Sequence, residues 1–274
     1  MHVFHETFAI RGYEAGGHGR VSLRTLCNYM EEAAGKHAEA LGCGLDAMRE
    51  QGITWVLARQ RIELGYMPAP EENMVVHTWP VGVERLSFRR DFHMECNGHT
   101  VLRAVSHWVL MNATTRKLEK MPPWAQSLAF PQAGLALEAG DIRIPPVPLA
   151  FLAETPAVAG NAVGVKEAAA ALPGPEFPVR RADIDSNGHV NNVRYVDFAL
   201  EAAHCFFASQ GQGVGERALA GLDIVFRAEA LWGDTVASAS MPEHQVPGRL
   251  LHGLYRKSSG QELARVRTVW KPLP

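Results

Sequence analysis

The sequence predicts an α+β protein in which one plan, a long amphipathic helix packed on an antiparallel sheet, is written twice. The first observation is a gapless internal match. "IRGYEAGGHGRVSLRTLCNYMEEAA" (10–34) aligns with "VRRADIDSNGHVNNVRYVDFALEAA" (179–203) at an offset of 169 residues. The second is a downstream match in the same order, "NGHTVLRAVSHW" (97–108) with "SGQELARVRTVW" (259–270), at an offset of 162. The third is composition: between the copies, from about 130 to 178, Pro, Ala and Gly dominate and periodicity fades, as in a linker.

The elements follow in order. In the first copy Leu23, Leu26, Met30 and Ala33 fall on one helical stripe. Strands are then expected over "TWVLARQRIEL", "ENMVVHTWPVG", "LSFRRDFHME" and "LRAVSHWVLMN", with the Gly-centred match reading as a hairpin turn. In the second copy Val193, Val196, Leu200, Ala203 and Phe207 form the stripe, and Asn191 or Asn192 is the expected cap. The expected domains are 1–128 and 176–274, joined by a linker over 129–175.

With 274 residues the chain is long enough for a substantial core. A net charge of −2 points away from general nucleic-acid or membrane-surface binding. The four cysteines lie far apart without a CxxC pair, so free, mostly buried thiols in a reducing cytoplasm are expected. The start lacks the basic and apolar regions of a signal peptide, and no stretch reads as a bilayer span.

"DIDSNGHVNN" (183–192) admits three readings. Asp-Ser-Asn-Gly is turn chemistry, because Asn and Gly tolerate left-handed backbone and Asp bonds its own downstream amides. The stretch also opens like a calcium loop, but the twelfth position, where a bidentate Glu must close the shell, is Arg194. Calcium is therefore excluded, and no other metal or cofactor is called for. In the third reading, alternation projects Asp185, Asn187 and His189 to one side, beside a helix N-terminus with unpaired N–H groups. Turn and catalytic site both remain open on these residues alone.

The stretch "ADIDSNGHVNNVRYVDFALEA" resembles the acyl–acyl carrier protein thioesterases, which carry an LDxNxHVNNxxY signature in the second of two tandem hotdog domains. "SLRTLCNYMEEAAGKHA", "ITWVLARQRIEL", "HTWPVGVERLSFRRDF" and "RAVSHWVLMNATTRKLEKMP" are similar to that family's first domain, in order. The resemblance implies two hotdogs, each a curved sheet wrapped around one helix. It implies one active site per chain, because Gly16, His18 and Arg20 stand where the second copy has Asp185, Asn187 and His189. It also implies a catalytic role for Glu229 in "DIVFRAEALWGD", where alternation alone gives an exposed salt-bridged pair with Arg227. Where plant members carry Cys after this Glu, the chain has Ala230, so no cysteine nucleophile is available there. Cys205 is expected to be a buried small hydrophobe.

The implied reaction is hydrolysis of a fatty acyl thioester on acyl carrier protein, an acidic partner. A thiol leaves as thiolate with little help, at a pKa of about 8.5. What remains is to activate water and stabilise the oxyanion. Glu229 is expected as general base, with direct carboxylate attack as a variant. Asn187 would hold the water, and Asp185 and His189 would orient one another. His189 and helix-terminal N–H groups would polarise the carbonyl. Leu26, Met30, Trp55 and Trp79 are the candidate acyl-chain lining, with ordinary core packing as the alternative for each. Arg85, Arg89, Arg90, Arg116, Lys117 and Lys120 are candidate docking residues. An acyl-CoA thioesterase of the same fold is the nearest rival; a hotdog dehydratase and a non-enzymatic acyl-binding protein stand further off. A monomer, each chain holding two copies, or a homodimer is expected.

Overall fold

In the computed structural model, residues 2–138, 143–148, 171–213 and 216–273 are described. They form two compact units, Met1–Asp141 and Ile142–Pro274. The first holds β1 (Phe4–Ala9), α1 (Leu23–Ala40), α2 (Leu45–Glu50), β2 (Ile53–Leu64), β3 (Asn73–Glu84), β4 (Ser87–Cys96), β5 (His99–Asn112), β6 (Leu118–Glu119) and α3 (Pro123–Ser127). Its antiparallel sheet runs β1-β3-β4-β5-β2, with β6 also paired to β5. The second holds β7 (Leu172–Pro178), α4 (Asn192–Ser209), β8 (Arg217–Phe226), β9 (Thr235–Pro242), β10 (Arg249–Arg256) and β11 (Glu262–Pro272). Its sheet runs β7-β9-β10-β11-β8, the same order strand for strand.

The repeat seen in sequence is a repeat in structure. Helices α1 and α4 are 18 residues each and correspond end to end at the 169-residue offset, Leu23 to Asn192 and Ala40 to Ser209. Each begins at a capping side chain: Ser22 accepts from the Thr25 amide at 3.2 Å, Asn191 from the Val193 amide at 2.8 Å. The stripe residues of α1 are buried, as are those of α4 except Leu200, which packs partly exposed beside Ala203, Phe207 and Trp270. Stacked rings join each first strand to its helix, Phe8 on Tyr29 and Phe177 on Phe198. In the hairpin match, Asn97 and Gly98 turn the chain with positive φ at both positions, the geometry of a tight two-residue hairpin. The second copy spends more residues on its turn, with Gly260 in the left-handed region.

The structure adds a strand ahead of each helix. β1 and β7 pair with β3 and β9. β7 contains Pro173, Pro175 and Pro178, which donate nothing to a ladder, and its register shifts between Pro173 and Glu176. That composition hid it: the strand starts at Leu172, inside the expected linker.

Other stretches of that linker are held by buried charge. Arg89, 3% exposed, grips Asp91, 0% exposed, through hydrogen bonds of 2.7 and 2.9 Å, and donates to the Leu137 carbonyl. Asp91 in turn accepts from the Ala136 amide. In the second unit Arg267 pairs with Glu243 and Asp223 and donates to the Arg143 carbonyl, while Arg265 donates to Ile144 and Tyr255 to Val147. The expected linker residues 139–142 and 149–170 lie outside the described residues.

Arg89 and Arg90, expected as docking residues, are therefore interior. Strand β4 is covered on both faces: Arg89 turns to the 134–137 segment, Arg90 to α1, where it bonds His37 Nδ1 at 3.1 Å, and it also donates to Thr78 Oγ1 of β3 at 3.2 Å. Burial pulls the Arg90 guanidinium down to about 10. Arg85, Arg116, Lys117 and Lys120 are exposed. Cys27, Cys43 and Cys96 are buried, but Cys205 is exposed, because it lies on the side of α4 away from the Ala203–Phe207 stripe. Among the described residues no helix is long and apolar enough to cross a membrane.

Two predictions concern this interior. Arg89→Ala strands the Asp91 carboxylate in the core, so thermal or urea unfolding should show a loss of about 3–5 kcal/mol. His252 is fully buried between Ser240 Oγ (2.8 Å) and Thr268 Oγ1 (2.9 Å), and burial pulls it down to about 3. The unfolded chain binds this proton near pH 6.5 while the native one does not, so stability falls as pH drops through that window. The expected slope is on the order of 1 kcal/mol per pH unit, and His252→Asn should flatten it in pH-dependent unfolding curves.

Candidate active site

The 183–192 stretch folds as a turn closed by its own side chain. Gly188 donates to the Asp185 carbonyl at 3.1 Å and the Asp185 amide to the His189 carbonyl at 3.0 Å, with Gly188 at φ +84. Asp185 Oδ1 accepts from the Asn187 amide at 2.7 Å. Ile184 and Val190 bridge across the base of the loop. The turn reading is thus correct as geometry.

The calcium reading fails for a reason visible in the ion pairs. Asp183, which would be the first ligand, is buried against Arg194, the residue standing at the twelfth position, at 2.9 Å. Arg180 adds a second contact at 2.8 Å. Burial would raise the Asp183 carboxyl, but the hydrogen bonds from Arg180 and the charge of Arg194 outweigh it and hold it below the usual carboxylate range.

The other oxygen of Asp185 faces the imidazole. His189 Nδ1 lies 3.7 Å from Asp185 Oδ2, and its Nε2 lies 3.6 Å from Glu229 Oε1. The ring therefore stands between two carboxylates, each just beyond hydrogen-bond length, a gap that a small rotation or one water closes. Asn187 sits exposed at the loop tip. Of the four candidate catalytic residues, the structure brings Asp185, His189 and Glu229 face to face and leaves Asn187 at their rim.

Glu229 does not arrive by strand alternation. Strand β8 ends at Phe226, and the amides of Arg227 and Ala228 both donate to the Leu263 carbonyl, at 2.8 and 3.2 Å. Two amides on one acceptor break the period of two. The ion pair of Arg227 goes to Glu262 and that of Glu229 to His189, so the Arg227–Glu229 pair that alternation alone gives is replaced by two others.

The Glu229 segment is fixed from both sides. The Ala230 amide donates to the Tyr195 hydroxyl at 2.9 Å, and the Ala230 carbonyl accepts from the Val190 amide at 2.9 Å. Arg256 Nη2 donates to the Glu229 carbonyl at 2.6 Å while its Nε holds Asp234, which also accepts from the Leu231 amide. Tyr195 is buried, and burial pushes its hydroxyl up to about 12, so it stays a neutral partner across ordinary pH. These three holding residues, Tyr195, Arg256 and Asp234, escaped the residue-by-residue reading. Tyr195 alone left a trace, as the last letter of the LDxNxHVNNxxY-like signature.

The helix terminus offers less than expected. The amides of Asn191, Val193 and Arg194 are already bonded, to the Asp183 carbonyl, the Asn191 side chain and the Asn191 carbonyl. Only the first helical position, Asn192, is left as an amide donor of that turn with no such bond described.

The first unit repeats this backbone without the chemistry. Gly16 donates to the Arg20 carbonyl, Gly19 to Gly16, Ser22 to Glu14 and Val21 to Pro68, each the counterpart of a bond around 185–191. The bond from Val21 sets Pro68 opposite Ala230 and therefore Met67 opposite Glu229. Asp185, His189 and Glu229 are thus replaced by Gly16, Arg20 and Met67.

The apolar candidates lie in several surroundings. Leu26 and Met30 are 0 and 1% exposed on α1. Trp55 is part-buried against Trp124 and Phe88, its indole N–H donating to the Cys43 carbonyl at 3.2 Å. Trp79 donates to the Gly134 carbonyl at 3.0 Å.

Family models for the acyl-ACP thioesterase N-terminal and C-terminal domains match residues 1–126 and 167–272. The chain belongs to the acyl-ACP thioesterase family. It is 28% identical over 305 residues to oleoyl-acyl carrier protein thioesterase 1, chloroplastic, of Arabidopsis thaliana, covering 99% of this chain and 76% of that protein. A 12:0-ACP thioesterase from Umbellularia californica is similar in structure, with a TM-score of 0.74, 24% identity, and 99 and 94% of the two chains covered. So is an oleoyl thioesterase (putative) from Lactobacillus plantarum, with a TM-score of 0.75, 22% identity, and 99 and 96% covered. Family and fold together make each unit a hotdog, two in tandem, and the chain a thioester hydrolase.

One prediction tests how this family member holds its Glu. Tyr195→Phe leaves the buried Ala230 amide without an acceptor, at a cost of about 1–3 kcal/mol. Unfolding curves should show that loss, and thioester turnover should fall at a temperature where the variant is still folded.

Proposed function

We propose that the protein hydrolyses the thioester of a fatty acyl–acyl carrier protein, releasing free fatty acid and ending chain elongation, with the Asp185–His189–Glu229 group as its centre. The observation that carries this is the placement of His189 between two carboxylates in the second unit, on a backbone that the first unit repeats with Gly16, Arg20 and Met67. Duplication preserved the scaffold twice and the polar group once, which supports one catalytic centre per chain.

In this reading Glu229 takes a proton from water, and the water oxygen bonds the thioester carbon. The tetrahedral intermediate collapses with cleavage of the carbon–sulfur bond, and the thiolate, from a thiol of pKa about 8.5, leaves and later takes up the proton. Asn187, at the rim, holds the water. Asp185 closes the loop with one oxygen and orients His189 with the other. His189 and the Asn192 amide face the developing oxyanion. The buried Ala230, in the position of the plant cysteine, supports a route with no cysteine nucleophile.

Leu26, Met30, Trp55 and Trp79 are proposed as the acyl-chain contacts, supported by their apolar character and by the catalytic chemistry lying elsewhere. The domains are proposed as 1–128 and 176–274, the second extended back to Leu172 by β7. All four cysteines are free, one of them exposed, which fits a reducing compartment, and the cytoplasm is the one proposed. Two hotdog copies within one chain favour a monomer, which native mass measurement tests.

The deciding experiment follows thiol release from acyl carrier protein substrates of several chain lengths beside matched acyl-CoAs. The expected outcome is chain-length-dependent release from the protein carrier. It should drop on the order of 100-fold or more in Glu229→Gln and Asp185→Ala, the scale of a lost general base or its support. Near-normal turnover by Glu229→Gln would remove the general-base role, and equal turnover of acyl-CoA would move the substrate to that carrier.

A further inference from the structure

The two loops that carry the site also build its rim. Arg181 belongs to the same loop as Asp185 and His189, and its guanidinium carbon lies 3.7 Å from the centroid of the Trp232 ring. Trp232 and Leu231 come three and two residues after Glu229, and they are 57 and 50% exposed. Exposed large apolar side chains scattered singly need no explanation, but an adjacent Leu-Trp pair with a cation laid on the indole is a preformed contact surface. Trp and Arg are the residue types that anchor protein interfaces.

The most exposed charges around this pair are guanidiniums, since Asp234 beside it is 20% exposed and held by Arg256. Among the described residues, Arg181 has no carboxylate in ion-pair range and its one described contact is the Trp232 ring. Arg180 and Arg227 have side chains 64 and 53% exposed. Their carboxylates are shared: Asp183 also meets Arg194, and Glu262 also meets Arg265. Two carboxylates thus serve four guanidiniums, with Arg194 drawing further on Asp197. Asp185 and Glu229 are less exposed, at 18 and 36%. In contrast, the basic residues picked from the first unit lose Arg89 and Arg90 to the interior.

We propose that Arg181, Trp232 and Leu231, flanked by Arg180 and Arg227, form the docking surface for the acidic face of the acyl carrier protein. The proposal rests on the function proposed above. A protein carrier that delivers a thioester to Glu229 must bring its own surface up against the loops around Glu229, and these are the cationic and large apolar side chains that those loops expose. Carboxylates of the acidic carrier meet the guanidiniums, and apolar surface beside them meets Trp232 and Leu231.

The test compares the native protein with Arg181→Glu and Trp232→Ala, both exposed positions, with melting curves to show that each variant folds. KM for acyl-acyl carrier protein should rise on the order of tenfold with kcat little changed, while KM for the same acyl chain on CoA stays put. Added salt should raise the native KM for the protein carrier, and less steeply in Arg181→Glu. Titration of labelled, unacylated acyl carrier protein, followed by fluorescence anisotropy, reads the surface without hydrolysis. Weaker carrier binding in both variants supports the surface even where turnover of the carrier substrate fails and the proposed function falls. Unchanged KM and binding, or equal losses on the protein carrier and on CoA, would overturn it.

Discussion

Both backbone polar groups of Ala230 are taken by the element that begins the second helix, its amide by the Tyr195 hydroxyl and its carbonyl by the Val190 amide. Ala230 is fully buried, so neither group has water as an alternative, and breaking either bond leaves an unpaired polar group in the interior. This pair of bonds sews the 227–234 segment to the 183–195 loop and helix. Glu229 stands one residue before the seam and His189 one residue before its other side. The distance between carboxylate and imidazole is thus set by main-chain bonds, with Arg256 adding a third tie at the Glu229 carbonyl. A methyl group suffices at position 230, since its backbone carries the structural role.

The same seam exists in the first unit, where Val21 bonds Pro68, and there it holds nothing reactive. Proline lacks the amide that Tyr195 accepts in the second unit, and the helix carries no tyrosine at the equivalent place, position 26 being Leu26. One backbone design thus serves two ends. In the first copy, apolar Met67 and small Gly16 occupy the sites of the two carboxylates. In the second, three polar side chains are gathered at a loop whose shape was already fixed by hydrogen bonding.

Buried charge does comparable work at a distance from the site. Arg89 with Asp91 and Arg267 with Glu243 are each drawn out of water and satisfied by carboxylates and by carbonyls of the intervening segment. Such pairs are a modest source of net stability, but losing one partner is costly, so they fix where the chain runs. In both copies this covers the face of the sheet that α1 and α4 do not.

Much of this was legible in the chain itself, because periodicity, caps and Gly-rich turns are local. The helix stripes, an Asn cap at 191 or 192, the hairpin at Asn97–Gly98 and the doubling of the plan follow from local spacing and residue type, as does the turn at 185–188; the structure chose Asn191 as the cap. Glu229 did not: it lies 40 residues from His189 in sequence, and without the family resemblance its alternation with Arg227 favoured an ordinary surface pair. The bulge at Leu263 that cancels that alternation is a bond between strands, invisible along one of them. Arg89 and Arg90 were misplaced for a related reason, since a strand's sequence does not say that both of its faces will be covered. Cys205 was misplaced because its side of α4 is decided by the stripe's phase against the sheet. Local chemistry determined which elements form; long-range packing decided which side chains meet, because burial and convergence depend on what the rest of the chain lays against them.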